Sequence, residues 1–463
     1  MATLLALPEE LLVQFFKIVI EDSGDNPAEP VVLRLSSVCK FLRELVINSP
    51  ILWSYIRLRG FRELKAVPLF IERSKTCLLD VTVHLDVIPY IAPNDLPNYA
   101  IPRWRSLTVG GSESNQISYF VQAIGNIATP ELQHVRLFPR TTFDCVDEHV
   151  PLFSGASNTL RTLALRGCVG CLPPFPNLTK LNIFRLLCNY QQFRQLIEGL
   201  PSLTTLILPE LLDRLGFDTL PEPDPPSRSM IEALSLKYFA VGFINTYLTL
   251  VDDPPILKFL SMPNLEYLEV SGSRAAEYGD LSGKEYSALR ALCLRDMIFP
   301  TSDAALYRSF SKITRLELDN VQGLDLLRAA QDEGGPLSWP DLQTVVCRFP
   351  DEESCSELEK FLDGRSRLAV HVPVQRKNDV QEIGRNHDIR FLSDEPYRLI
   401  TSENFPRSDW DEDEDSDNID DYLDEQDLFD EMYEDYEYEP EFAEMDDEDD
   451  GYEDDEDDAW PGF

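Results

Sequence analysis

Apolar residues near the start of the chain recur every three or four positions, which is the period of an amphipathic helix. This pattern runs through the segment Leu11–Val19. Pro8 suits a first helical turn, and Glu9 and Glu10 favour the positive end of the helix dipole. The pattern therefore predicts a helix that begins near Pro8 and stops before the polar segment 21–30.

A second helical pattern covers the segment Leu33–Ile47. Its apolar side is formed by Leu35, Val38, Leu42 and Leu45. The helix is expected to end at an Asn-Ser-Pro triplet, after which Leu52 and Trp53 supply a third apolar anchor. About 50 residues are too few to bury this much apolar surface alone. Either the rest of the chain or a partner protein must cover it.

Beyond these helices the pattern L-x-x-L-x-L, with Ile, Val or Trp allowed, recurs ten times. The hexapeptides begin at residues 104, 132, 160, 178, 203, 231, 265, 289, 313 and 342, and looser copies begin at 53 and 78. The spacing clusters near the roughly 20–29 residues of a leucine-rich repeat. Each hexapeptide predicts a short strand, and parallel stacking of the strands buries one continuous core. Helices are predicted between strands at 191–200, 325–333 and 355–364.

Alternation along the predicted strands indicates which side chains face away from the core, on the side of the sheet expected to be concave. They are Lys180, Asn182, Ser235, Lys237, Tyr267, Glu269, Cys293, Arg295, Arg315, Glu317, Asp319, Val346 and Arg348. Solenoid proteins bind partners through such surfaces. The candidate target-binding residues are Lys180, Lys237, Tyr267, Arg295, Arg315 and Arg348. Their bases suit an acidic or mixed-charge ligand; the alternative is a face that is only solvated.

The net charge of −41 comes mainly from one end of the chain. Of the 82 acidic residues, 31 lie between Asp409 and Asp458, and Arg407 is the last basic residue. The remainder holds 51 acids and 41 bases. Self-repulsion predicts a disordered tail.

Aromatic residues such as Tyr422 and Tyr433 interrupt the acidic run, as in segments that fold against basic partners. The alternative is a tail that only increases solubility. A further hypothesis is that, when no ligand is bound, the tail occupies the concave face by contacting Lys237, Arg295, Arg315 and Arg348.

No motif predicts catalysis, a cofactor or a metal. The five histidines (His84, His134, His149, His371 and His387) are scattered, and the pair Cys168 and Cys171 has no second pair at metal-site spacing. Cys168 instead follows a predicted strand, where a small polar residue closes the turn of a repeat. No basic stripe suits nucleic acid, and no apolar run is long enough for a membrane span.

The start of the chain does not have the pattern of a signal peptide, because Pro8 and two acids interrupt its apolar run. Nine cysteines at irregular spacing suit a reducing compartment. We expect a cytoplasmic or nuclear protein.

The order "LPEELL", "LSSVCKFLREL" and "LW" over residues 5–58 resembles the F-box, the helical module that docks on the Skp-type adaptor of cullin–RING ubiquitin ligases. The resemblance implies these adaptor-binding residues: Leu7, Pro8, Leu11, Leu12, Phe15, Phe16, Leu35, Val38, Cys39, Leu42, Leu45, Leu52 and Trp53. Two features depart from the family pattern: the connection Glu21–Pro30 is longer than in compact members, and Leu42 stands where many have Trp.

The whole chain resembles F-box proteins with leucine-rich repeats, the substrate receptors of SCF-type ubiquitin ligases. This implies an α/β chain with an F-box-like module at 1–60, a leucine-rich-repeat solenoid (a horseshoe with its parallel sheet on the concave side) at 61–400 and a disordered acidic tail at 401–463. The receptor would bind an adaptor and an unidentified protein target, without catalysis of its own. The alternative is a scaffold or chaperone that contacts basic proteins through its tail.

Overall fold

Parallel strands from fourteen successive segments join into one sheet in the computed structural model of the chain. The structure describes residues 7–22, 31–59, 61–85, 100–111, 116–117, 119–120, 128–139, 158–168, 172, 174–187, 190–211, 230–243, 259–272, 286–295, 310–319, 339–348, 358, 360–362, 365, 368–373, 389–392 and 399. The order of strands in the sheet follows the order in the chain. The described part is therefore a parallel-sheet solenoid with a few helices.

The strands of the sheet are β1 (Tyr55–Leu58), β2 (Leu79–His84), β3 (Trp104–Gly111), β4 (His134–Pro139), β5 (Thr162–Cys168), β6 (Lys180–Leu187), β7 (Thr205–Leu211), β9 (Tyr238–Phe243), β11 (Tyr267–Ser271), β12 (Ala291–Arg295), β13 (Arg315–Asp319), β14 (Thr344–Cys347), β15 (Ala369–Pro373) and β16 (Ile389–Leu392). A separate parallel pair consists of β8 (Ile231–Glu232) and β10 (Leu260–Ser261). Nine of the ten predicted hexapeptides and both looser copies overlap a strand of the main sheet. The prediction of a stacked parallel sheet is confirmed.

The prediction that the hexapeptide at 231 forms a strand of the main sheet is wrong. The strand of the main sheet in this repeat is β9, from the sequence "LKYFAV", in which Phe239 replaces the second leucine. Phe239 is fully buried, whereas Leu234 is 56% exposed. The phenyl ring takes the inward position that the leucine pattern assigned to Leu234. Ser235 and Lys237, predicted on the concave face, therefore precede the strand.

The sheet core is a stack of apolar residues in matching register. Leu268, Leu292, Leu316 and Val345 are partners on consecutive strands, and all four are buried. Each strand contributes alternate residues to this interior, so a single hydrophobic cluster runs from Leu12 to Val372. The stability of each repeat thus depends on its neighbours.

Backbone hydrogen bonds extend the ladder beyond the strand ends. The carbonyl of Lys237 accepts hydrogen bonds from the amides of Glu266 and Tyr267, at 2.8 and 3.0 Å. The carbonyl of Glu266 accepts two from the next repeat, from Arg290 and Ala291, at 2.9 and 3.1 Å. Each shared carbonyl thus accepts from the first residue of the next strand and from the residue just before it, so both amides have a hydrogen-bond partner.

Helices α1 (Glu9–Asp22), α2 (Val31–Val38) and α3 (Lys40–Asn48) precede the sheet, followed by a 3₁₀ turn (Pro50–Trp53). The predicted single helix Leu33–Ile47 is two helices. Cys39 interrupts it in an extended conformation and caps α3, because its sulfur accepts a hydrogen bond from the Leu42 amide at 3.5 Å. The described residues also include α4 (Phe61–Ser74) and α5 (Tyr190–Glu198).

The prediction of a helix at 191–200 is confirmed by α5. Of the segment 355–364, Leu358 and the stretch 360–362 are helical, and the rest lies outside the described residues. The predicted helix at 325–333 and the predicted tail at 401–463 also lie outside them. In the described ranges, no helix combines the length and the apolar character that a membrane span requires.

The first strand belongs to the sheet although it falls within the predicted module 1–60. The guanidinium of Arg57 in β1 donates to the Ile20 carbonyl of α1 at 2.9 Å, and the Tyr55 hydroxyl donates to Glu21. Leu12 and Phe16 of α1 lie in the same buried cluster as the sheet core. These contacts fix α1 on the first strand of the sheet.

We predict that Phe239→Ala destabilises the chain by about 3–5 kcal/mol, because it removes a buried ring from the stacked core. The matched variant Leu234→Ala should change stability by less than about 0.5 kcal/mol, because its side chain is largely exposed. Denaturant unfolding followed by circular dichroism compares the two. A larger loss from Leu234→Ala would contradict the register assigned to this repeat.

Candidate partner-binding surfaces

Helix α1, together with Leu7 just before it, carries an apolar face that the chain leaves about half exposed. Leu7, Leu11, Phe15 and Ile18 recur at spacings that place them on one side, and they are 42%, 55%, 48% and 60% exposed. We call these four residues the helix stripe. The opposite side of α1, with Leu12, Phe16 and Ile20, is buried. The helix is therefore apolar on two sides, of which only one is buried in the chain.

Local sequence explains where α1 begins. The Pro8 carbonyl accepts hydrogen bonds from the amides of Leu11 and Leu12, both at 3.1 Å. Glu9 and Glu10 occupy the first turn, as predicted from the helix dipole. Pro8 lies immediately before the first helical residue and is exposed. The helix stripe therefore begins at the exposed N-terminal end of α1.

Six of the predicted adaptor-binding residues are interior residues. Leu12, Phe16, Leu42, Leu45, Leu52 and Trp53 are all at most 7% exposed. Their side chains already pack on the chain, and direct contact of these six residues with a partner stays a prediction. They hold the helices together and thereby position the residues that remain exposed.

Trp53 illustrates this interior role. Its indole nitrogen donates to the Val46 carbonyl at 2.8 Å, and its ring contacts Phe70 edge-on at 5.2 Å between centroids. The Arg73 guanidinium lies 4.4 Å from the centre of the ring. Trp53 therefore joins α3 to α4, and its replacement would disrupt the fold.

The other predicted adaptor-binding residues remain accessible. Val38 ends α2 and is 67% exposed, whereas Leu35 and Cys39 are half-buried. Exposed Ile47 was not predicted, and neither was Ile18. The helical period of α1 could have identified Ile18, since it continues the spacing of Leu11 and Phe15.

A second surface is the side of the sheet opposite the core, which we call the outer face. Its central row joins fourteen register partners: Arg57, Thr82, Thr108, Arg136, Ala164, Asn182, Ile207, Ala240, Glu269, Cys293, Glu317, Val346, His371 and Arg390. The row is buried from Ala164 to Val346 and more accessible at both ends. The middle of the outer face is therefore covered rather than openly solvated.

Acids and bases on or beside the outer face pair with one another. Glu317 accepts a hydrogen bond from the Arg315 guanidinium at 2.7 Å, and Asp319 accepts one from Arg295 at 3.2 Å. Both carboxylates are buried. Lys237 and Glu266 form a further pair at 2.8 Å, and both are accessible. These three bases are thus already paired with carboxylates of the same chain.

The other predicted outer-face residues differ in exposure. Lys180 is half-buried in β6, and burial together with the charge of Arg136 lowers the pKa of its ammonium. Arg348 follows β14 and is half-buried. Tyr267, a predicted target-binding residue, is buried in β11. Tyr267 lies beside the central row, at a place where another residue of the same chain, Leu399, packs on the outer face.

Leu399 lies on the middle of the outer face. Its side chain belongs to a small apolar cluster with Ile207, Ala240, Tyr267 and Cys293. The amide of Leu399 donates a 2.9 Å hydrogen bond to a carboxylate oxygen of Glu269, which also accepts one from the Tyr267 hydroxyl at 3.0 Å. No sequence signal predicted this contact, because Leu399 belongs to no repeat.

Burial raises the pKa of the Tyr267 phenol well above its ordinary value near 10, and the nearby thiol of Cys293 and carboxylates of Glu269 and Glu317 act in the same direction. The phenol therefore stays protonated and keeps donating to Glu269 across the neutral and moderately alkaline range. Burial also raises the pKa of Tyr286 to about 12.

Within the described residues, no group of three or more His, Cys, Asp or Glu side chains could hold a metal ion. Cys168 ends β5, whereas Cys171 lies outside the described residues. His84, His134 and His371 lie in three different strands. His149 and His387 are outside the described ranges.

No protein-family model matches the chain, and no curated protein matches it.

We predict that Tyr267 makes stability fall at alkaline pH. Its folded pKa is raised, so its contribution is complete below the unfolded value near 10 and is lost as pH rises above it. Thermal unfolding of the wild type and Tyr267→Phe should be compared from pH 8 to 11. The stability advantage of the wild type should shrink above about pH 10. Tyr119→Phe, at an exposed residue, is the control; a constant difference for Tyr267→Phe would contradict the assignment.

Proposed function

We propose that the chain is the non-catalytic substrate-recognition subunit of an SCF-type ubiquitin ligase, built from an F-box-like module and leucine-rich repeats. The observation that carries the proposal is the helix stripe on α1. It lies in the segment whose sequence resembles the F-box, and its apolar side chains need a partner to leave water.

The stripe is large enough to contribute substantially to binding. Burial of one Leu, Ile or Phe side chain contributes about 1.5–3 kcal/mol, and half of each stripe side chain remains to be buried. Val38, at the end of α2, and Ile47, near the end of α3, add exposed apolar surface. The adaptor would bind the stripe, while the interior set around Trp53 keeps the helices in place.

The solenoid supports the proposed recognition of a protein target. Solenoid sheets bind proteins through extended surfaces. The outer face has a row that crosses fourteen strands and is accessible at both ends. The chain would hold the adaptor through α1 and a protein target through the sheet. Ubiquitin transfer would then be performed by associated enzymes, and the receptor would act by raising the effective concentration of a target lysine.

The connection between α1 and β1 suits such a receptor. Arg57 and Tyr55 of β1 hydrogen-bond to the end of α1, and the two share one buried cluster. A target on the sheet would thus be held at a fixed position relative to the adaptor. The role requires a cytoplasmic or nuclear location and involves neither nucleic acid nor a membrane.

We predict that Leu11→Asp in the full chain abolishes co-purification with a Skp-type adaptor, weakening binding by about tenfold or more, because it places a charge within the stripe. Leu234→Asp is the matched control, since Leu234 and Leu11 are 56% and 55% exposed. The control should bind like the wild type, and both variants should keep the wild-type melting temperature. Trp53→Ala is unsuitable because Trp53 is interior.

If the wild type never retains the adaptor, or Leu11→Asp retains it fully, the proposal is wrong. Binding of basic proteins by both the wild type and Leu11→Asp, without adaptor, would instead favour the alternative of an acidic-tailed scaffold or chaperone.

A further inference from the structure

The outer face carries a seat for one apolar residue, formed by Ile207, Ala240, Tyr267, Glu269 and Cys293. We call these five residues the Leu399 seat. Ala240 and Cys293 are the register partners of Glu269 on its two sides. Because both are small, they leave room beside the Glu269 side chain. Leu399 fills this room, and its side chain is buried.

The polar part of the seat selects a particular kind of backbone. One Glu269 oxygen accepts hydrogen bonds from the Tyr267 hydroxyl and from the Leu399 amide. An amide within a helix or a central strand is already bonded to its own element, so it could not donate here. The seat therefore suits an extended or irregular segment, in which one apolar side chain and its own amide bind together.

Charge next to the seat indicates what should flank the apolar residue. Glu317 is the register partner of Cys293, is buried and accepts from Arg315 through one oxygen. Its second oxygen, also buried, receives no hydrogen bond from the described residues. A carboxylate oxygen in this position favours a nearby donor, and a basic side chain provides the strongest one.

We infer that the Leu399 seat is the docking site for an extended segment of a protein target that presents a leucine-like side chain, its free amide and an adjacent basic residue. Leu399 occupies the site until such a target displaces it. In the sequence Leu399 follows Arg398, so this chain carries the same pair of residue types. This inference names the chemistry of the target. It rests on the proposed function, according to which the bound target would be ubiquitinated.

Displacement has a consequence for affinity. A target can bind only the fraction of molecules in which the seat is open, so its apparent affinity is reduced by that fraction. Weakening the Leu399 contact should therefore strengthen binding of an added segment without any change to the seat itself.

The first test uses Cys293 as a reporter of the open seat in the full chain. Trypsin releases it in the short peptide Ala291–Arg295, so mass spectrometry can follow its alkylation by a maleimide. Leu399→Asp should raise the rate about tenfold or more, because an aspartate is repelled by Glu269 and leaves the apolar cluster. Leu234→Asp should leave the rate unchanged.

Cys347 is the internal control for this test. It is buried in the core cluster, on the opposite side of the sheet from Cys293, so its alkylation should stay slow in every variant. Equally slow alkylation of Cys293 in the wild type and Leu399→Asp would overturn the inference. Faster alkylation of both cysteines would also overturn it, since Leu399 would then be a structural contact of the fold.

The second test measures binding of a labelled, end-blocked peptide of residues 395–404 to the full chain by fluorescence anisotropy. It should bind the Leu399→Asp protein about tenfold or more tightly than the wild type, and should protect Cys293 from alkylation. The double variant Leu399→Asp/Glu269→Gln should bind the peptide more weakly than Leu399→Asp, because a neutral amide replaces the charged carboxylate that accepts the hydrogen bond. A peptide with aspartate in place of leucine should not bind.

Equal binding of the peptide to the wild type and Leu399→Asp, or equal binding of both peptides, would overturn the inference. Leu399 would then be only a structural contact of the fold. Neither test involves the adaptor, so the two proposals can fail separately. If the chain retains the adaptor but these two tests fail, only this inference is wrong. If Leu399→Asp exposes Cys293 but the wild type never retains the adaptor, only the proposed function is wrong.

Discussion

Burial of one apolar row by the next is the interaction on which the described structure depends. Leu268, Leu292 and Leu316 occupy the same position on consecutive strands, so each covers its neighbour. Because the cluster continues into Leu12 and Trp53, the N-terminal helices depend on the same interior. A solenoid of this kind exposes its two ends to water, and one role of the helices is to cover the first strand.

This shared interior explains how one helix can both stabilise the chain and remain available. The inner side of α1 is committed to the core through Leu12, Phe16 and Ile20, so its outer side is held outward in a fixed orientation. Hydrogen bonds from Tyr55 and Arg57 fix the end of the helix to the first strand. Side chains on a rigidly held helix lose little conformational entropy when a partner covers them.

The sequence predicted the sheet well because period-two alternation with a leucine repeat is a strong signal. It failed at β9, where Phe239 replaces leucine and a competing hexapeptide lies five residues earlier. It did not predict β15 and β16, which lie beyond the last hexapeptide. The helical period predicted α1 correctly, but it could not separate the inner from the outer side. Leu12 and Leu11 are equally apolar, and only packing distinguishes them.

The sequence could not predict the pairing of charges or the position of Leu399. Arg295 and Arg315 were assigned to an external ligand, but carboxylates on the same sheet bind them. Glu269 and Leu399 are 130 positions apart, and no local pattern connects residues at that distance. Long-range contacts of single residues are decided by tertiary packing, whereas repeated contacts appear in the sequence as a period.

If the proposed function is correct, α1 presents Leu11 to the adaptor while Leu12 remains inside. Leu11→Cys and Leu12→Cys, introduced separately, allow maleimide alkylation to be measured with and without a saturating Skp-type adaptor. We expect fast alkylation at position 11 that the adaptor suppresses, and slow alkylation at position 12 in both conditions. Alkylation at position 11 that the adaptor leaves unchanged would contradict it.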